Sequence, residues 1–222
     1  MIEILYEDNH IIALNKKSGD LVQKDKTGDI SLPEKVKDYL RKKYNKQGNI
    51  FCGVVHRLDR PVSGLVLFAK TSKALGRMNE MFRNKTIKKT YWAIVERPPM
   101  NKNGKLEHYL IKNRNKNKSQ AFLKPFKRAL FSELYYKTLK KLDRFTLLEV
   151  YPITGRHHQI RVQLSYENSI IKGDLKYGAK RSNNDASICL HAREINFTHP
   201  VSKEQIKIIA PTPKNNIWNA CN

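Results

Sequence analysis

The sequence holds 222 residues, with 43 Lys and Arg against 20 Asp and Glu, a formal net charge of +23. That length suits one large domain or two small ones, and 40% hydrophobic with 9% aromatic residues excludes a disordered tail or a collagen-like repeat. The longest apolar runs, such as Leu65–Ala69, fall far short of the ~20 residues that span a bilayer, and Glu3, Glu7 and Asp8 give the opening the wrong charge for a secretory signal.

In chain order, Ile2–Tyr6 and Ile11–Leu14 flank Glu7-Asp8-Asn9-His10 and predict a strand, a turn and a strand. Ser31 with Glu34 forms a capping-box pattern, Pro33 falls in the first turn, and Val36, Leu40 and Tyr44 recur every four residues. An amphipathic helix over 32–45 follows. The apolar run from Gly64 to Ala69 suits a strand covered on both faces. A second helix, capped by Thr71 or Ser72, places Leu75, Met78 and Phe82 on one side, and Lys89–Glu96 reads as a strand rich in aromatic and β-branched residues. From Arg97 to about Ser119 the chain turns polar, with Pro98-Pro99 and many Asn, which predicts a long connection or a mobile basic insert; His108–Ile111 is compatible with a short strand. Glu133–Leu142 and Phe145–Pro152 predict a hairpin, Arg156–Glu167 a helix after the Thr154-Gly155 turn, and Ile188–Phe197 and Gln205–Ala210 two final strands. The pattern is α+β with a mixed, mainly antiparallel sheet flanked by a few helices, and no interior linker divides it.

The charge excess is partly local: residues 101–128 hold nine Lys or Arg and one Glu. A polyanion is the expected partner, and nucleic acid the first candidate, because each neutralised phosphate releases counterions. A membrane surface fits less well, since it calls for a basic helix with a clean apolar face. Cys52, Cys189 and Cys221 are widely spaced, odd in number and free of any CxxC, which speaks against a disulfide framework or structural zinc and for a reducing cytoplasm.

Two polar clusters stand out. In Val54–Lys70, Asp59 lies in the turn before a buried strand, flanked by His56, Arg57 and Arg60. Cationic neighbours favour the ionised form of a carboxylate, which then serves as nucleophile or general base. On spacing alone, a structural turn network of His56, Arg57 and Asp59 is the favoured reading. In Ile153–Arg161, Arg156, His157, His158 and Arg161 crowd the start of a helix, where cations oppose the helix dipole and call for an anionic partner, phosphate or carboxylate. Adjacent histidines diverge on a helix and have no HxxxH or Cys partner, so no metal is expected there.

These residues carry a resemblance. His56-Arg-Leu-Asp59 followed by Ser63-Gly64-Leu-Val-Leu-Phe-Ala-Lys70 resembles the first signature of the RluA branch of the pseudouridine synthases. Lys89-Thr-Tyr91 is similar to that family's Lys-x-Tyr strand, and Thr154–Arg161 to its third signature. Lys172-Gly-Asp-Leu-Lys-Tyr-Gly178 resembles its Gly-Asp-x-x-Tyr-Gly loop, and Leu190-His-Ala192 with Phe197-Thr-His-Pro200 its closing strand. The resemblance implies a single catalytic domain over 1–222, with a basic insert near 97–119 and without the S4-type domain of many relatives. It further implies an RNA pseudouridine synthase that uses neither metal nor cofactor, because the reaction rearranges one nucleotide. Asp59 would be the catalytic carboxylate, Tyr91 would stack on the uracil, and Arg161 would pair with Asp59. Arg57 would enter the RNA stack and Leu190 would pack the far side of the base, with His56, Arg60, Lys89, Arg156 and His158 as further RNA-facing groups. The substrate would be ribosomal or transfer RNA, and the like charge favours a monomer.

The sequence departs from the family pattern at Lys17, Val62, Gln163 and Asn168–Ile170, none of which removes a catalytic group. The rival reading is a non-catalytic RNA-binding or ribosome-assembly protein that keeps the fold for its basic surface; against it stand Asp59, Tyr91 and Arg161 together. A metal-dependent nuclease ranks last, since Asp59 has no acidic companion within twelve residues on either side.

Overall fold

The computed structural model describes residues 2–25 and 27–221. In chain order the elements are β1 (Ile4–Glu7), β2 (Ile11–Lys16), α1 (Leu32–Lys43), β3 (Gly53–Val54), β4 (Ser63–Ala69), α2 (Ser72–Arg83), β5 (Lys88–Val95), β6 (Asn103–Asn113), β7 (Lys118–Phe122), β8 (Leu130–Lys141), β9 (Thr146–Pro152), α3 (Gln159–Tyr166), a 3-10 turn (Leu175–Tyr177), β10 (Leu190–Thr198), β11 (Gln205–Ile209) and α4 (Asn216–Asn219). The architecture is α+β with a mainly antiparallel sheet, as the sequence predicts. No helix among the described residues is long and apolar enough to cross a membrane. The chain forms two compact units. One comprises the chain up to Lys88 with Ala192–Pro213, and the other Lys89–His191 with the chain from Lys214 on.

In the first unit the strand order runs β1-β2-β4-β10, with β11 on β10 and β3 on β4. β4 is buried along its whole length, as its unbroken apolar run demands. It lies antiparallel to β2, from Ile11 opposite Ala69 to Lys16 opposite Gly64. Gly64 has φ +107, and a Cβ there would stand 2.4 Å from the Ala192 carbonyl oxygen of β10, so only glycine allows this approach. α1 begins at the expected capping box, the Ser31 N–H donating to Glu34 Oε2 at 3.0 Å, and buries Leu32, Val36 and Leu40. Tyr44, expected on the same apolar face, instead ends the helix in solvent, where its hydroxyl donates to Glu7. The hydroxyl makes it the one member of that row able to bond at the surface. α2 starts where Thr71 Oγ1 accepts from the Ala74 N–H at 3.1 Å.

In the second unit the order is β5-β9-β8-β6-β7. Here the expectation of a long connection or mobile basic insert near 97–119 is corrected: residues 103–113, which include the short strand allowed at His108–Ile111, form the eleven-residue strand β6, paired with β8 on one side and β7 on the other. Leu106, His108 and Leu110 point inward while Lys105 and Glu107 point out. That period-2 alternation is masked in the sequence by the polar His108, whose Nδ1 meets Gln163 Nε2 of α3 at 3.2 Å. The α3 side of the sheet is sealed by Leu110, Ala121, Val162 and Tyr177. α3 itself begins three residues later than predicted. The Gln159 side chain accepts from the Thr154 hydroxyl (2.7 Å) and the Arg156 N–H (3.0 Å) and donates to the Glu133 carbonyl (3.0 Å), fixing Thr154–His158 as a turn.

Candidate active site

Asp59 lies on the connection between β3 and β4 and is half-buried. Its carbonyl accepts from the Val62 N–H at 3.0 Å, closing a turn over Asp59–Val62. The backbone of this turn is held by the segment that ends β2. Lys16 is buried, and its ammonium donates to the carbonyls of Lys17 (3.0 Å), Arg60 (3.0 Å) and Val62 (2.6 Å). The Gly19 N–H adds a bond to the Arg60 carbonyl (2.9 Å), and the Ser18 hydroxyl one to Pro61 (3.3 Å). Three successive carbonyls after Asp59 therefore accept from Lys16–Gly19. Burial drives the Lys16 ammonium down to about 8, against the opposing pull of Asp20 and Asp59. The sequence assigns Lys16 no role of its own; its position as the last inward residue of a buried strand is the available signal.

The neighbours of Asp59 spread out. His56 accepts the Leu67 N–H on Nε2 at 3.1 Å and stacks on Phe82, with ring centroids 5.1 Å apart. Arg57 is exposed and donates to Gln23 Oε1 at 2.9 Å. Arg60 is also exposed and pairs with Asp29 at 2.6 Å. The two arginines flanking Asp59 in sequence thus reach Gln23 and Asp29.

In the second unit, Tyr91 stands on β5, half-buried, opposite Val150 of β9, which is opposite Tyr136 of β8. Because directly opposed side chains share a face and alternate residues of β8 from Ser132 to Tyr136 are buried, Tyr91 belongs to the face that α3 covers. Arg161 projects from α3 and is buried. It forms a two-pronged pair with Asp174, Nε to Oδ2 at 2.7 Å and Nη2 to Oδ1 at 2.8 Å, and its guanidinium lies 5.1 Å from the Tyr177 ring centre. The anionic partner that the crowded cations called for thus includes a carboxylate of the protein. Asp174 and Tyr177 belong to the quoted Gly-Asp-x-x-Tyr-Gly loop but received no role from the sequence; their presence in one short loop beside a signature arginine was the signal.

The remaining candidates of this unit divide by burial. His158 is buried in a left-handed conformation (φ 55) just before α3. It stacks on His157 with centroids 3.8 Å apart and meets the Tyr177 hydroxyl at 2.9 Å. Burial, reinforced by Arg161, His157, Lys176 and Lys112, pushes its imidazole down to about 2, so it is neutral at any physiological pH. Arg156 is exposed, donating from Nε to the Phe131 carbonyl at 3.2 Å. Lys89 is half-buried, which lowers its pKa. Leu190, the first residue of β10, is buried. Among the described residues no group of three or more His, Cys, Asp or Glu is placed to hold a metal ion.

These signatures stand within a recognised family. A profile described as RNA pseudouridylate synthase matches residues 10–166. The chain is 37% identical to the ribosomal large subunit pseudouridine synthase C of Buchnera aphidicola subsp. Baizongia pistaciae, over 94% of this chain and 66% of that one. It is 31% identical to the tRNA pseudouridine synthase C of Vibrio vulnificus, over 98% and 93% respectively. The fold of human RNA pseudouridylate synthase domain containing 4 superposes with a TM-score of 0.82 at 22% identity, covering 99% of this chain and 92% of that one. The chain therefore belongs to the RNA pseudouridylate synthase family. It spans about two thirds of the length of the ribosomal relatives it matches.

Proposed function

We propose that this protein is an RNA pseudouridine synthase that converts uridines of ribosomal or transfer RNA, the two substrate classes its relatives are named for. The observation that carries the proposal is Asp59, a half-buried residue at the family's signature position, on a turn fixed by Lys16 and its neighbours. In the reaction the bond between uracil N1 and the sugar breaks, the base turns, and a new bond joins the sugar to carbon 5. The hydrogen on carbon 5 leaves as a proton and N1 gains one. Asp59 is the carboxylate that acts on the target uridine, Tyr91 stacks on the uracil and takes part in removing the proton, and Arg161 is the cation that steadies the carboxylate. Arg57, exposed beside the turn, fills the RNA stack where the nucleotide has left, and Leu190 packs the base. His56, Lys89 and His158 shape this apparatus, while Arg60 and Arg156 face the phosphates. The target base must leave its stack, at a cost of a few kcal/mol.

Nothing in this rearrangement calls for a metal or cofactor. The basic surface supplies RNA affinity, the +23 charge opposes self-association, and the unbridged Cys52, Cys189 and Cys221 suit the cytoplasm.

Asp59→Asn tests the proposal. Conversion, measured as tritium release from RNA carrying 5-tritiated uridine, is expected to fall at least 1,000-fold (roughly the loss when a covalent or general-base group is removed), with RNA affinity retained. Undiminished conversion would overturn the reading. Loss of binding together with conversion would mark Asp59 as structural.

A further inference from the structure

The face of the second unit's sheet away from α3 carries a row of aromatic rings. On β6, Tyr109 stands opposite Phe122 of β7 and Phe131 of β8. Tyr109 and Phe131 meet edge to face with centroids 5.7 Å apart, and Phe122 stacks on Phe126 of the β7–β8 loop at 4.7 Å and 23°. Phe126 and Phe131 are 42% and 39% exposed, too open for core residues of this size. Tyr91 belongs to the opposite face, so the row is separate from the uracil-stacking position.

Charge names the occupant. From His108 to Ser132 the chain carries seven Lys or Arg and no Asp or Glu. Lys124, Lys127 and Arg128 surround Phe126 in sequence and are exposed, and the Lys127 ammonium stands 5.2 Å from the Phe126 ring centre. On the far side of Phe131 the carboxylates of Glu107 and Glu133 begin, both held by Lys105 at 2.7 and 3.2 Å, and they bound the patch. Offset rings rimmed by cations suit a strand whose bases are unstacked and whose backbone is anionic. A protein partner would have to match an uncompensated cationic rim with acidic groups and gains nothing from parallel rings.

We propose that Tyr109, Phe122, Phe126 and Phe131, with Lys124, Lys127 and Arg128, form a stacking platform for a single-stranded segment of the substrate RNA, away from the nucleotide being isomerised. The proposal rests on the RNA-modifying reading and adds a second contact region to it. The platform anchors the RNA equally before and during reaction, so it contributes to KM and not to kcat.

The experiment compares wild type with Phe126→Ala, Phe131→Ala and Phe126→Trp, each checked for an unchanged thermal melt. Binding of a fluorescent single-stranded RNA of about 12 nucleotides is read alongside conversion of full substrate RNA. Each Ala variant is expected to weaken oligonucleotide binding about 5- to 150-fold, the range for losing one stacked base, and to raise KM with kcat retained. Phe126→Trp is expected to restore binding, its indole fluorescence quenched by the RNA. Unchanged affinity in both Ala variants, or a drop in kcat alone, would overturn the platform. So would a change in self-association with RNA binding intact, which would make the patch a protein interface. Repeating the binding measurements in the Asp59→Asn background keeps the two readings separable, since they then report on the platform whether or not the protein converts uridine.

Discussion

Lys16 shows how one residue fixes the backbone of a turn, here the one that carries Asp59. A buried ammonium is tolerated only with its protons satisfied, and here they go to three backbone carbonyls, two of them within three residues after Asp59. The cost appears as the pKa drop from 10.5 to about 8. A group whose folded pKa is depressed below its unfolded value binds more protons unfolded than folded between the two. Its penalty is complete below pH 8 and is relieved as pH rises toward 10.5, by about 3 kcal/mol. Urea unfolding of wild type between pH 8 and 10.5 is therefore expected to show a rising contribution that Lys16→Met lacks. At pH 7 the variant leaves the Arg60 and Val62 carbonyls short of a donor, and conversion is expected to fall as the Asp59 turn loosens. A variant whose stability tracks wild type across this window would refute the assignment.

The elements of the second unit are joined by polar pairs as well as by apolar burial. α3 is tied to the turn at Leu175–Tyr177 through Arg161 and Asp174, both nearly fully buried. Removing one partner of a buried pair leaves a costly charge, so Asp174→Ala is expected to destabilise the protein by about 3 kcal/mol in urea unfolding. Asp174→Asn, which keeps one acceptor, is expected to cost less. Equal and small losses in both would mean that the pair contributes little. β6 carries the same lesson for prediction. Its inward His108 and outward Lys105 and Glu107 look like a polar connection until the partner strands and the Gln163 amide of α3 are in place.

For the whole molecule, the dominant property is charge. An excess of 23 positive charges predicts RNA affinity that falls steeply with salt, with a log–log slope of about −0.7 per phosphate contact on single strands. Triple substitution of Lys124, Lys127 and Arg128 by Ala is expected to flatten that slope by about 2, read from binding titrations at several salt concentrations. Phe126→Ala should leave it unchanged, because stacking releases no counterions. A flat response in wild type would remove RNA as the partner.

The sequence by itself determined the family, the strand-rich α+β class and the capped starts of α1 and α2, and it named Asp59, Tyr91 and Arg161 as candidates. Each of these is written locally, in composition, periodicity or a contiguous signature. Only the tertiary structure decided that Asp174 holds Arg161, that Lys16 clamps the Asp59 turn, that His158 is neutral and that rings from β7, β6 and β8 line up with Phe126 of the β7–β8 loop. Those facts depend on which distant residues meet and on how much water they exclude, and neither quantity is carried by a residue's neighbours in the chain.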